Sequence, residues 1–113
     1  MMPLTVEFIG EQYIVEPERV FTVGRDSDLV IDDNPYLHRH FLRIAADGGL
    51  WWIFNVGSQL SATVTDSSGQ VQAWLAPGAR LPLVFQAVHV LFSAGSTTYD
   101  FSIRLQEEYY GPA

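Results

Sequence analysis

Apolar and polar residues alternate with a period of two in short runs along most of the chain. In the clearest run Thr98, Asp100, Ser102 and Arg104 interleave with Tyr99, Phe101, Ile103 and Leu105. That is the pattern of a strand with one wet face and one buried face. Runs rich in Val, Ile, Phe, Trp and Tyr predict strands at 5–9, 12–16, 20–23, 29–31, 40–45, 50–55, 62–65, 71–76, 79–84, 88–93 and 98–105. Turn formers separate them: Gly10-Glu11, Pro17-Glu18, Asp32-Asp33-Asn34-Pro35, Asp47-Gly48-Gly49, Asp66-Ser67-Ser68-Gly69, Pro77-Gly78 and Ala94-Gly95. No window of helical length keeps a helical period. Many short strands with frequent turns predict an all-β sandwich or barrel.

One run breaks the alternation. Trp51-Trp52-Ile53-Phe54 is apolar at successive positions, so both faces of one strand are apolar. One of the two tryptophans then points away from a simple core. It either packs under a loop or anchors a partner, and Trp51 is the candidate contact. Val84-Phe85-Gln86-Ala87-Val88 and Trp74-Leu75 raise the question of an apolar surface patch, with packing as the preferred reading.

Composition narrows the classes. With 113 residues, 48% of them apolar and 13% aromatic, the chain suits one domain with a real core. Residues 1–106 are expected to form it, and 107–113 a flexible tail. There is no cysteine, hence no disulfide and no thiolate chemistry. Thirteen acids against six bases give a formal charge of −7. That balance opposes a nucleic-acid binder or a protein that adsorbs to anionic lipid. The first residues lack the basic and apolar segments of a secretion signal, and no apolar run is long enough to insert in a membrane. The expectation is a cytoplasmic protein.

The remaining chemistry is concentrated early. Phe21-Thr22-Val23 ends in Gly24-Arg25, then come an acidic turn, the short run Leu29-Val30-Ile31, and the loop residues His38, Arg39 and His40. Two arginines and a histidine gathered at one edge of a β-domain can hold an anion, because a guanidinium grips phosphate with two parallel hydrogen bonds. The alternative for Arg25 is pairing with Asp26, Asp28 or Asp32. For His38 and Arg39 the alternatives are a packed loop histidine and a surface arginine. His38, His40 and His89 make a weak metal signal, in which the rings of His38 and His40 would share one face of a strand and Asp32 or Asp33 could add oxygen. No nucleophile elbow, phosphate loop or thiol points to an enzyme. No cofactor is implied.

In order and spacing these motifs resemble a forkhead-associated (FHA) domain over nearly the whole chain. Gly24-Arg25 matches the family's Gly-Arg, and Asp28-Leu29-Val30-Ile31-Asp32-Asp33 matches its Asp-Ile-x-Leu-Asp-Asp. For the family's Ser-Arg-x-His there are two registers. One anchors on His40 as the histidine and puts Leu37 at the serine. The preferred one puts His38 at the serine, Arg39 at the arginine and Phe41 at the histidine, which keeps Phe41-Leu42-Arg43-Ile44 in phase. Asn55-Val56-Gly57-Ser58 matches Asp-Leu-Gly-Ser. Beyond it the match decays: Leu60, Ser61 and Ala62 stand where the family has Asn, Gly and Thr.

The resemblance implies a β-sandwich of two antiparallel or mixed sheets with ligand loops at one end, and a module that reads phosphothreonine. It implies Arg25, His38, Arg39 and Ser58 as phosphopeptide contacts; an imidazole in place of the serine is expected to bind phosphate more strongly as pH falls below about 6.5, until the phosphate itself protonates at about 6. Because the serine and asparagine positions are both changed, the expectation leans to a non-catalytic protein–protein interaction module whose phosphothreonine site is degenerate. Leu60, Ser61 and Trp51 are then the candidate partner contacts. A genuine phosphothreonine reader is the alternative, and a metal protein or enzyme ranks lowest. The partner would be a protein or phosphopeptide, such as a Ser/Thr kinase substrate or a larger bacterial assembly.

Overall fold

A computed structural model describes residues 1–106. The tail expected at 107–113 lies outside the described residues. Eleven strands follow in chain order: β1 (Leu4–Phe8), β2 (Glu11–Val15), β3 (Phe21–Gly24), β4 (Leu29–Val30), β5 (Leu42–Asp47), β6 (Leu50–Asn55), β7 (Ala62–Asp66), β8 (Gln72–Leu75), β9 (Arg80–Pro82), β10 (Ala87–Ala94) and β11 (Thr97–Leu105). They form a six-stranded sheet, β2-β1-β11-β10-β7-β8, and a five-stranded sheet, β4-β3-β5-β6-β9. The larger sheet is antiparallel throughout. The smaller is mixed, because β4 runs parallel to β3. The expected all-β sandwich of antiparallel and mixed sheets is the observed one.

Alternation decides what each strand buries. On β11 Phe101 and Ile103 face inward while Asp100 and Arg104 are exposed. On β10 Val88, Val90, Phe92 and Ala94 are buried, and His89 and Leu91 between them are exposed. On β5 and β6 the inward set is Leu42, Ile44, Trp51 and Ile53. The two sets meet in one core, in which Phe41, just before β5, meets Phe92 edge-on with ring centroids 4.9 Å apart. The β5–β6 turn is Gly48-Gly49, both with positive φ (62° and 79°), the conformation a two-residue hairpin requires. Among the described residues no helix is long and apolar enough to cross a membrane.

Trp51 corrects an expectation. It is 4% exposed, and its indole N–H donates to the Met2 carbonyl at 3.0 Å. It is a core residue and offers no surface to a partner. Trp52 is the outward member of the pair, its N–H donating to the Asp47 carbonyl at 3.0 Å. The apolar runs that were expected to pack are partly on the surface. Trp74 is 72% exposed, Val84 64% and Phe85 43%, whereas Leu75 is fully buried.

Candidate functional site

Three loops meet at one end of the sandwich: 25–28 after β3, 31–41 between β4 and β5, and 56–61 between β6 and β7. Backbone hydrogen bonds stitch them together. The Arg25 and Asp26 N–H groups donate to the His38 and Arg39 carbonyls at 2.9 and 3.1 Å. The Val56 and Gly57 N–H groups share the Phe41 carbonyl. Gly24 is where the first two loops cross. A Cβ there would lie 2.2 Å from the Arg39 carbonyl oxygen, so only glycine admits this approach. Ser27 adds a side-chain link, donating to the Arg39 carbonyl at 2.6 Å and meeting His40 Nδ1 at 2.8 Å.

The stitching brings four predicted residues together. Arg25, His38, Arg39 and Ser58 line one shallow depression of about 380 Å³, with Tyr36 and Gln59 on its rim. Arg25 and His38 are half-buried, and Arg39 and Ser58 are exposed. Two of the acids that offered to neutralise Arg25 are engaged elsewhere. The Asp28 carboxylate accepts from the Thr22 N–H and hydroxyl at 2.9 and 3.1 Å. The Asp32 carboxylate accepts from the Tyr99 hydroxyl at 2.6 Å and from the Asp33 N–H at 2.8 Å. Those two donors hold Asp32 below the usual carboxylate range.

His38 is oriented by the loop that follows β6, in line with its reading as a packed loop histidine. Its Nε2 lies 3.3 Å from both the Gln59 and the Leu60 N–H. A nitrogen facing two donors must be the acceptor of the ring, which places the ring proton on Nδ1. The ring also closes over Gly57, where an added Cβ would lie 2.7 Å from it. Thus His38 pins the 57–60 loop from within the depression. His40 points away, to Ser27, and neither histidine lies on a strand. The expected pair of rings on one strand face therefore does not form. Among the described residues no group of three or more His, Asp or Glu is placed to hold a metal ion.

Of the partner-contact candidates, Leu60 is half-buried against the core. Ser61 opens onto a groove of about 310 Å³ shared with Trp74 and Leu91. Asn55 organises the loop between them and was not singled out by sequence. It is 2% exposed, its amide donates to the Leu60 and Leu75 carbonyls at 2.8 and 3.0 Å, and its oxygen accepts from the Gly57 N–H at 3.0 Å. The available signal was its place at the family's aspartate. Tyr36 was also missed; it is 70% exposed and packs over Gly95. A larger depression, about 630 Å³, lies elsewhere. Its lining includes Glu7, Asp32 and Asp100, which makes it unsuited to an anion.

No family model matches the chain, and no curated protein does. Two solved structures do match in fold. The first forkhead-associated domain of Rv1747 from Mycobacterium tuberculosis superposes with a TM-score of 0.64 at 18% identity, covering 90% of this chain and 94% of that one. The forkhead-associated domain of an Arabidopsis thaliana hypothetical protein gives 0.68 at 18% identity, covering 98% of this chain and 92% of that one. The chain has the forkhead-associated fold.

Proposed function

We propose that this forkhead-associated-like chain is a non-catalytic protein-interaction module. It meets its partner through the loop end, and its grip on phosphate is reduced. The observation that carries the reading is the engagement of His38 Nε2 by the Gln59 and Leu60 amides. His38 stands at the family's serine, yet this nitrogen is spent on the protein's own loop. Leu60, at the family's asparagine, has no side-chain hydrogen-bonding group with which to hold a peptide backbone. The groove lined by Ser61, Trp74 and Leu91 is the neighbouring contact surface, in place of the buried Trp51. The partner is a protein in the cytoplasm, of the kind that works beside Ser/Thr kinases or in a larger bacterial assembly.

A second reading is favoured by the clustering of Arg25, Arg39 and Ser58 around one depression. Charge-assisted hydrogen bonds from these three at about 1.5–3 kcal/mol each sum to about 5–9 kcal/mol. Micromolar binding needs about 8 kcal/mol after ordering costs. A phosphothreonine reader with only these contacts sits at the weak edge of that range. Fluorescence anisotropy with a degenerate phosphothreonine peptide pool and its unphosphorylated twin, near pH 6 and pH 8, separates the readings. The interaction-module reading expects no preference for the phosphorylated pool. A clear preference that Arg25→Ala abolishes would replace it with the reader.

A further inference from the structure

We propose that the outer face of the five-stranded sheet is a second docking surface, for an acidic segment of a partner protein that carries aromatic residues. The inference is independent of the loop end. The strand register sets Thr22, Arg43, Phe54 and Arg80 in one row across β3, β5, β6 and β9. Ala45, Trp52 and Pro82 form the next row. Inward neighbours Leu42, Ile44, Trp51 and Ile53 are buried, so these seven side chains face outward. The Arg43 guanidinium lies 4.4 Å above the Phe54 ring, and the Arg80 guanidinium 4.5 Å above the Trp52 ring.

Each ring supports its guanidinium from below. It holds the cation in place by the attraction of ring face for positive charge, and it limits the rotamer freedom that binding would otherwise remove. A stacked guanidinium keeps its N–H edges available, and those edges fit a carboxylate in a bidentate manner. The Trp52 ring is itself fixed by its hydrogen bond to the Asp47 carbonyl. Tryptophan and arginine held rigid side by side are the residue types that carry most of the energy at protein interfaces.

Charge complementarity names the occupant. The protein carries −7 overall, with only six bases, yet two of the six stand in these two rows and no acid does. Asp28, beside the row at Thr22, has its carboxylate taken by the Thr22 N–H and hydroxyl. A carboxylate-rich segment therefore meets two oriented cations here, and an aromatic residue within it stacks on the free face of a guanidinium beside Trp52 and Phe54. The net charge slows the approach of such a segment, so the surface works by short-range contact rather than steering.

The test is anisotropy with a labelled pool of 12-residue peptides that share a Glu-Glu-Tyr-Glu core, against a pool in which glutamine replaces each glutamate. Saturable, salt-sensitive binding of the acidic pool is expected, weakened about tenfold by the double variant Arg43→Gln, Arg80→Gln and unchanged by Arg25→Ala. Should the double variant be unstable, two-dimensional NMR of the wild type reads the same question. The chain has three tryptophans, and the Trp52 indole signal should move while those of Trp51 and Trp74 stay. No saturable binding, equal binding of the glutamine pool, or shifts that spare Trp52 would each overturn the proposal.

Discussion

Replacing His38 with alanine tests whether this residue is a loop pin. The side chain offers Nε2 to two backbone donors, Gln59 and Leu60, at 3.3 Å each. The Gln59 amide is in an exposed position and regains water when the ring is removed, so its loss costs little. The Leu60 amide is partly buried, and leaving it without a partner costs about 1 kcal/mol. The ring also packs on Gly57 and lies 6.0 Å, centroid to centroid, from the fully buried Phe41. Deleting those contacts adds about 1 kcal/mol, since the surrounding backbone is held by other hydrogen bonds and cannot collapse fully. The expected loss is about 2 kcal/mol.

Urea unfolding followed by tryptophan fluorescence measures it. With a slope of about 2 kcal/mol per molar urea, the midpoint should fall by about 1 M with the slope unchanged. His38→Ser, which restores the family residue, should lose nearly as much, because a serine hydroxyl is too short to reach both amides. Long-range ¹H–¹⁵N spectra of the wild-type imidazole should report an Nδ1–H tautomer. A loss below about 0.5 kcal/mol in both variants, or an Nε2–H tautomer, would refute the reasoning and return His38 to the set of free anion ligands.

Gly24→Ala should be among the most damaging small substitutions, at about 3 kcal/mol, because the new Cβ would meet the Arg39 carbonyl oxygen at 2.2 Å and the His38 carbonyl oxygen at 2.8 Å, and backbone cannot step aside as a side-chain tip can. Thermal melts of this variant and of a control such as Gly69→Ala, where nothing lies within 4 Å, separate close approach from backbone conformation. Asp32 is held below its usual carboxylate range, first by the Tyr99 hydroxyl and then by the Asp33 N–H. A depressed folded-state pKa contributes stability that is present above the unfolded value and lost as pH falls through the folded one. Tyr99→Phe removes the larger cause, so the difference in melting temperature between wild type and variant should shrink as pH is lowered from 6 toward 2. A difference that stays constant over that range would contradict the assignment.

Most of the architecture was legible because alternation is a direct image of a two-faced strand. Each of the eleven predicted strands lies within two residues of an observed one. What alternation cannot supply is phase inside a uniformly apolar run. Ile53 sits between Trp52 and Phe54, so the run alone does not say which tryptophan is inside. The pairing of β6 with β5 settles it, setting Ile53 opposite Ile44 and Trp51 opposite Ala46. At the loop end, the sequence singled out residues that the fold gathers in one place, but not their orientations. Arg25, Arg39 and Ser58 line the depression with His38, yet the His38 ring turns to its own chain. A side chain in a loop takes its direction from tertiary hydrogen bonds, and no local pattern encodes those. Asn55 escaped notice because, besides its nearby partners Gly57 and Leu60, its amide reaches the Leu75 carbonyl twenty residues on, a contact only the tertiary fold creates.

Asn55 ties the loop after it to the end of β8, at the position where the forkhead-associated pattern has aspartate. The family's residue at this position is aspartate, which accepts hydrogen bonds but donates none when ionised. Here the side chain must do both: it accepts from the Gly57 N–H and donates to the carbonyls of Leu60 and Leu75. The carbonyls draw residue 60 and the end of β8 together, so the loop is built around an amide. Restoring the family residue should therefore harm the protein. Asn55→Asp would take the amide donor away from one buried and one partly buried carbonyl and press a carboxylate against them at a site only 2% exposed. Each orphaned acceptor costs about 1–2 kcal/mol, and an unpaired buried charge raises the total to about 3–5 kcal/mol at pH 7. Burial and the facing oxygens disfavour the ionised form, so the introduced carboxyl would titrate above its unfolded value. A raised folded-state pKa means that the native state binds the extra proton, so the deficit should be smaller at pH 5 than at pH 7. Urea unfolding at the two pH values reads both statements. An Asn55→Asp protein as stable as wild type would mean that the amide does not organise this loop.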